Sequence, residues 1–156
     1  MQADSLVKDG KFQEALDGYE DLLKKGDHLY SPEQKITIFI GRGNALQGLG
    51  KQKDAIQDYT KALSINKDIG EAYANRGIAL DNLGDYEKAM EDYKKALSIK
   101  SELGDGPGII SRILDDPDKT KTIKDRLGFL EGFMEAHEAG IDAPVKDISD
   151  TGKKSM

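Results

Sequence analysis

The chain has 156 residues, 37% hydrophobic and 33% charged, with a formal net charge of −6; this suffices for one domain with a sizeable core. The acidic balance without a basic patch argues against nucleic acid as a partner, and no run approaches the roughly 18 apolar residues of a membrane span. Cysteine is absent, which excludes disulfides and thiolate-bound zinc, and the start Met1-Gln2-Ala3-Asp4 lacks the basic and apolar regions of a secretory signal, so a cytoplasmic chain is expected.

In chain order, Met1–Asp9 reads as the last part of a first helix, stopped at Gly10. Its earlier turns would precede Met1, so the chain is either short at its start or cut from something longer. Lys11–Lys25 is a second helix with Phe12, Ala15, Leu16, Tyr19, Leu22 and Leu23 on one apolar face, and Gly26 ends it. Ser31-Pro32-Glu33-Gln34 signals the next start, with Ser31 as N-cap, Pro32 in first position and Gln34 closing a capping box. That helix runs to Leu49, and Gly50 stops it. Further helices are expected over Gln52–Ile65, from an Asp68 N-cap to just before Gly84, and over Tyr86–Ile99.

Gly104-Asp105-Gly106-Pro107-Gly108 is a cluster of helix breakers. Ile109–Leu114 fits a short helix. Asp115-Asp116-Pro117 reads as the cap and first turn of a long one reaching Ala139, with Ile123, Leu127, Leu130 and Met134 at helical spacing and Phe129 and Phe133 beside them. Residues 141–156 read as a flexible tail.

Residues 36–69 superpose on residues 70–103 at a fixed offset. Arg42-Gly43 falls on Arg76-Gly77, Ala45-Leu46 on Ala79-Leu80, Leu49-Gly50 on Leu83-Gly84 and Ala55 on Ala89. Asp58-Tyr59 falls on Asp92-Tyr93, and Lys61-Ala62-Leu63-Ser64-Ile65 on Lys95-Ala96-Leu97-Ser98-Ile99. A weaker copy reads Ala3-x2-Leu6, Gly10, Phe12, Ala15-x3-Tyr19, Leu23. The period of about 34 residues, with an aromatic, a glycine, a second glycine and an Ala-x3-aromatic step, resembles the tetratricopeptide repeat. The resemblance implies an all-α fold, a right-handed superhelix of antiparallel helix pairs. It divides 1–103 into three repeats (1–30, partial; 36–69; 70–103), followed by a helical capping segment over 104–140. Two departures stand out: Lys67 and Ser101 replace the proline near each repeat's end, and Arg42 and Arg76 replace a leucine.

The residues themselves explain much of this pattern. Gly43 and Gly77 sit inside helices, where glycine costs about 1 kcal/mol against alanine, a cost tolerable where another helix passes close by. Gly50 and Gly84 suit the position after a helix C-terminus. A charge at Arg42 or Arg76 needs a partner. Across the turns at Gly50 and Gly84, Asp58 and Asp92 are symmetrically placed, so two cross-helix ion pairs are expected, the alternative being that both arginines reach solvent. A solenoid exposes its last apolar face. Ile109–Ala139 is expected to cover it, the alternative being that the long helix docks on another molecule.

Little in the chain points to chemistry. His28 and His137 fall in different elements, and His137-Glu138 lacks the second histidine of a metalloprotease helix. Asp115-Asp116-Pro117-Asp118 lacks the glycine and distal glutamate of a calcium loop. No Gly-Lys-Ser/Thr follows the glycine cluster. The expectation is a chain without catalytic residues, metal or cofactor.

The tetratricopeptide resemblance implies a concave groove, lined by the first helix of each pair, that binds an extended peptide or a partner helix. The positions off the glycine stripe are Thr37, Ile40, Gly41, Asn44, Gln47 and Gly48, then Glu71, Ala74, Asn75, Ile78, Asp81 and Asn82. The candidate partner-binding set is Thr37, Ile40, Asn44, Gln47, Glu71, Asn75, Ile78 and Asp81, and the plain alternative is an ordinary solvated face. One group within the family grips the C-terminal carboxylate of heat-shock chaperones with a clamp of lysines, arginine and asparagines. By register its third-repeat basic positions fall on Glu71 and Asn75, its second-repeat asparagine on Gly41, and its first lysine before Met1. No chaperone-tail binding is therefore expected; the expected ligand is an internal segment or helix of another protein, neutral to basic, held by Ile40, Asn44, Asn75 and Ile78. Self-assembly through the partial first repeat, or service as a regulatory piece of a larger protein, are the alternatives.

Overall fold

A computed structural model describes residues 2–100 and 122–141. Glycines punctuate the helices. Gly10, Gly50, Gly84 and Gly140 all have φ between +73° and +79°, a left-handed conformation that glycine adopts without a side-chain penalty. At each, the next residue's N–H reaches back to close the helix end, as Lys51 does to the Leu46 carbonyl at 2.8 Å and Asp85 to that of Leu80 at 3.0 Å. Between these stops lie α1 (Gln2–Lys8), α2 (Phe12–Lys24), α3 (Pro32–Gly48), α4 (Gln52–Ile65), α5 (Gly70–Asn82), α6 (Tyr86–Ile99) and α7 (Ile123–Glu138), with a short 3-10 turn at Asp27–Leu29.

The helix starts follow local chemistry, with two corrections to the sequence reading. Ser31 caps α3 as expected, its hydroxyl accepting from the Gln34 N–H and the Gln34 side chain accepting from the Ser31 N–H. Asp68, by contrast, caps nothing. The chain enters α5 through Ile69 without a side-chain cap, and the Asp68 N–H donates to Asn66 Oδ1 at 2.8 Å. The long C-terminal helix begins at Ile123, six residues later than expected, because Thr122 and Asp125 form a reciprocal capping box there. The expected cap at Asp115–Pro117, the short helix at Ile109–Leu114 and nearly all of the tail lie outside the described residues.

Helices pack as antiparallel pairs, α1 with α2, α3 with α4 and α5 with α6, and α7 lies on α6. One fully buried tyrosine anchors each pair: Tyr19, Tyr59 and Tyr93. A Cβ on Gly43 would stand 2.7 Å from the Tyr59 ring, and one on Gly77 2.8 Å from the Tyr93 ring. These helical glycines are therefore the seats of the tyrosine rings, which offsets their cost in helix propensity. Two apolar clusters result. One joins Ala15, Leu16 and Tyr19 to Ile38, Ala45, Leu46 and Tyr59. The other joins Ile78, Leu80, Tyr93 and Ala96 to Ile123 and Leu130 of α7. Leu127 and Met134 only half-bury, and Phe129 is exposed. So α7 does cover the last pair, but on a stripe centred on Ile123 and Leu130.

The odd-numbered helices come together: α3 meets α1 and α5 more closely than α4 meets α2 or α6. The face of α3 and α5 turned away from α4 and α6 is the inner wall, the side that the tetratricopeptide resemblance assigns to a partner. Among the described residues no helix is long and apolar enough to cross a membrane.

Candidate partner-binding site

The helix register puts Thr37, Ile40, Asn44 and Gln47 on one side of α3, and Glu71, Asn75, Ile78 and Asp81 on the matching side of α5. The structure splits this set. Thr37 and Glu71 are exposed, and Ile40 and Asn44 are half-buried. Gln47, Asn75, Ile78 and Asp81 are buried, none more than 4% exposed. Four of the eight expected contact residues are thus enclosed within the chain. Gly41 is buried as well, and Gly48 is half-buried. The Tyr19 ring presses on the first, and a Cβ on the second would stand 2.5 Å from the Phe12 ring.

The enclosed amides have an internal task. The Tyr59 hydroxyl lies 2.8 Å from Asn44 Oδ1 and 2.7 Å from Gln47 Oε1, as donor to both. Asn75 Nδ2 donates to Asn44 Oδ1 at 2.9 Å, tying α5 to α3. One hydroxyl proton shared between two amides leaves the cluster short, and Gln47 Nε2 and Asn75 Oδ1 are buried without hydrogen-bond partners. Burial, then the field of Glu71, raises the Tyr59 phenol well above its ordinary pKa.

Asp81 sits at the same register as Gln47 but carries a charge, and α7 answers it. Arg126 Nε and its terminal nitrogen donate to the two Asp81 carboxylate oxygens, each at 2.7 Å. The Asp81 side chain is 0% exposed, and the Tyr93 hydroxyl adds a third bond at 3.1 Å. Burial first, then this carboxylate, raises the Tyr93 phenol. Sequence reading missed the contact because 45 residues separate its partners. The one available signal was an aspartate where the preceding repeat has glutamine.

Behind the wall, both expected ion pairs are present. Arg42 Nε donates to Asp58 Oδ2 at 2.6 Å and Arg76 Nε to Asp92 Oδ2 at 2.7 Å. Each guanidinium makes a second, parallel bond, at 2.7 and 2.8 Å respectively. The side-chain hydrogen bond to its aspartate holds each arginine's pKa above the ordinary value. Among the described residues no group of three or more metal-ligating side chains converges. His137 is exposed and stacks on Phe133.

The tetratricopeptide family model matches residues 36–69 and again residues 70–103. No curated protein matches the chain in sequence. Among solved structures, the first tetratricopeptide domain of Spaghetti (RPAP3), solved with an HSP90 peptide SRMEEVD, shares 22% identity at a TM-score of 0.63, over 86% of this chain and 88% of that one. The tetratricopeptide domain of Sgt2 from Aspergillus fumigatus shares 20% identity at a TM-score of 0.65, over 96% of this chain and 85% of that one. With α3–α4 and α5–α6 each built on a seated tyrosine and an Arg–Asp bridge, residues 36–103 are two tetratricopeptide repeats, and the fold that carries them is all-α and tetratricopeptide-like.

Proposed function

We propose that this chain is a protein-interaction module that holds an extended segment or helix of another protein against the inner wall of α3 and α5. The observation that carries the reading is the wall itself. Thr37, Ile40, Asn44 and Glu71 reach its surface, and the hydrogen-bonded amide cluster beneath them fixes the two helices on which they stand. Residues held on rigid helices bind without the ordering cost that a loop would carry. No catalytic group, metal or cofactor enters this role.

The partner differs from the chaperone-type peptide seen on the Spaghetti domain. A free carboxylate needs cations, and this wall offers an exposed Glu71 and a buried Asn75 at the two third-repeat positions of the clamp. Gly41, at the second-repeat position, lies under the Tyr19 ring. Each charge-assisted bond lost is worth about 1.5–3 kcal/mol. Calorimetric titration with an acidic peptide ending in a free carboxylate is expected to give no heat. Micromolar binding that vanishes on C-terminal amidation would contradict the reading. The wall is tested by placing a photo-crosslinker at Thr37 or at Gln57, exposed on α3 and α4 respectively. A partner is expected to crosslink from Thr37 alone and to be lost with Ile40→Arg.

A further inference from the structure

The inner wall has a polarity set from within. Asn44 Oδ1 accepts the Asn75 N–H and faces the Tyr59 hydroxyl. Both bonds engage the same end of the Asn44 amide, so its Nδ2 end is turned away from the cluster. That nitrogen meets no acceptor among the described residues, and the side chain is half-buried at the wall surface. Asn44 thus presents a fixed donor.

Charge on the wall is equally specific. Glu71 is exposed and has no ion pair among the described residues. It lies one helical turn before Asn75, which bonds to Asn44, and its field reaches the Tyr59 hydroxyl. The other carboxylate of the row, Asp81, is neutralised by Arg126. Arg42 and Arg76 are engaged by Asp58 and Asp92 behind the wall. Ile40, one turn before Asn44, is half-buried and offers apolar surface. The α3–α5 face therefore carries the Glu71 charge beside a fixed amide donor and an aliphatic patch. Beneath them Asn75 Oδ1, in a side chain 1% exposed, has no hydrogen-bond partner.

We propose that the wall reads a basic, extended segment of another protein: Glu71 takes a lysine or arginine side chain, the Asn44 N–H donates to a main-chain carbonyl, and Ile40 carries the aliphatic stem of the basic residue. Lysine and arginine join a charged head to a methylene stem, which matches an acid beside an isoleucine. The inference rests on the inner-wall reading above and names the ligand class within it.

A random-peptide display library selected on the full chain tests both levels. The wild type is expected to enrich peptides rich in lysine and arginine, whose affinity falls with salt. Glu71→Gln should weaken them about tenfold, and Glu71→Lys should shift enrichment toward aspartate and glutamate. Asn44→Ala should weaken binding without changing the charge preference. Enrichment without charge preference, or the same basic peptides from Glu71→Lys, overturns the Glu71 assignment while leaving the wall in place if Ile40→Arg still abolishes binding. No enrichment, or peptides indifferent to Ile40→Arg, overturns the wall and this inference together. Glu71 is exposed, and unchanged circular dichroism of its variants confirms that the fold is intact.

Discussion

The inner wall is built twice from nearly the same sequence, and the copies end differently. In the second repeat the Tyr59 hydroxyl meets Gln47 at 2.7 Å; in the third the Tyr93 hydroxyl meets Asp81 at 3.1 Å. The register is shared and the tyrosine is shared, but an amide stands in one place and a carboxylate in the other. The difference follows what packs next. After α3 comes α5, which brings Asn75 into a neutral amide cluster. Beside α5 lies α7, which brings a guanidinium. An internal junction is closed by neutral amides, with Gln47 Nε2 and Asn75 Oδ1 left without partners, and the terminal junction by an ion pair whose halves are costly apart. Gln47 and Asp81 are both enclosed and Thr37 and Glu71 both exposed, so the two copies differ in accessibility at Asn44, half-buried, against Ile78, fully buried.

The largest test of this contrast removes the guanidinium. Arg126→Met keeps the stem but leaves the Asp81 carboxylate buried and unpaired, which should cost about 3–5 kcal/mol. Adding Asp81→Asn should recover a large part of it, since a neutral amide replaces an isolated charge. Gln47→Ala, at the equivalent place, should cost only about 1–2 kcal/mol. Urea unfolding gives all three values. Equal losses for Arg126→Met and Gln47→Ala would mean that the two junctions are closed by the same physics.

Next in size is the apolar seam under α7. Ile123 and Leu130 are fully buried, and Leu127 is half-buried. Leu130→Ala should cost roughly 2–5 kcal/mol, and Leu127→Ala clearly less because part of its side chain already meets water. The reverse order in thermal melts would show that α7 packs on another stripe.

These cases also mark how far the sequence could be read. The helix pairs, the Ser31 capping box and both Arg–Asp pairs were legible, because each depends on spacing within about one repeat. The accessibility of the wall was not. Gln47, Asn75, Ile78 and Asp81 lie on the face that the register assigns to a ligand, yet burial depends on how closely neighbouring helices approach, and that is set by side chains a repeat away. The Thr122–Asp125 capping box was readable in principle but was masked by the stronger-looking Asp-Asp-Pro signal upstream. The Arg126–Asp81 pair joins elements with no common period, so no spacing rule reaches it.

A finer comparison sets the two cross-helix ion pairs against each other. Asp58 and Asp92 are 2% and 8% exposed as side chains, their arginines 19% and 21%. Double-mutant cycles at Arg42–Asp58 and Arg76–Asp92 should each give coupling above the 0–1 kcal/mol of exposed pairs. Arg76 also donates to the Thr60 hydroxyl at 3.1 Å and lies over the Tyr73 ring. Thr60→Ala should therefore lower the third-repeat coupling by a fraction of a kcal/mol and leave the second-repeat coupling unchanged. No coupling at either pair would remove them from the account of stability.

The smallest expected effect has the opposite sign. Glycine occurs mid-helix in the repeats, at Gly43 and Gly77, and in the covering helix, at Gly128 and Gly132. In the repeats an added methyl would meet a tyrosine ring at 2.7–2.8 Å, below any ordinary contact distance. Gly43→Ala and Gly77→Ala should therefore destabilise, despite the better helix propensity of alanine. At Gly128 and Gly132, nothing among the described residues lies within 4 Å of the position a Cβ would take. Both residues are exposed, and their backbone is helical. There alanine adds propensity and restricts the unfolded chain without a clash, so each substitution should stabilise by about 0.5–1 kcal/mol. Chemical denaturation of the four single variants tests the contrast: a loss of stability in Gly128→Ala would mean that its face of α7 is packed against something, and a gain in Gly43→Ala would mean that the Tyr59 seat is loose.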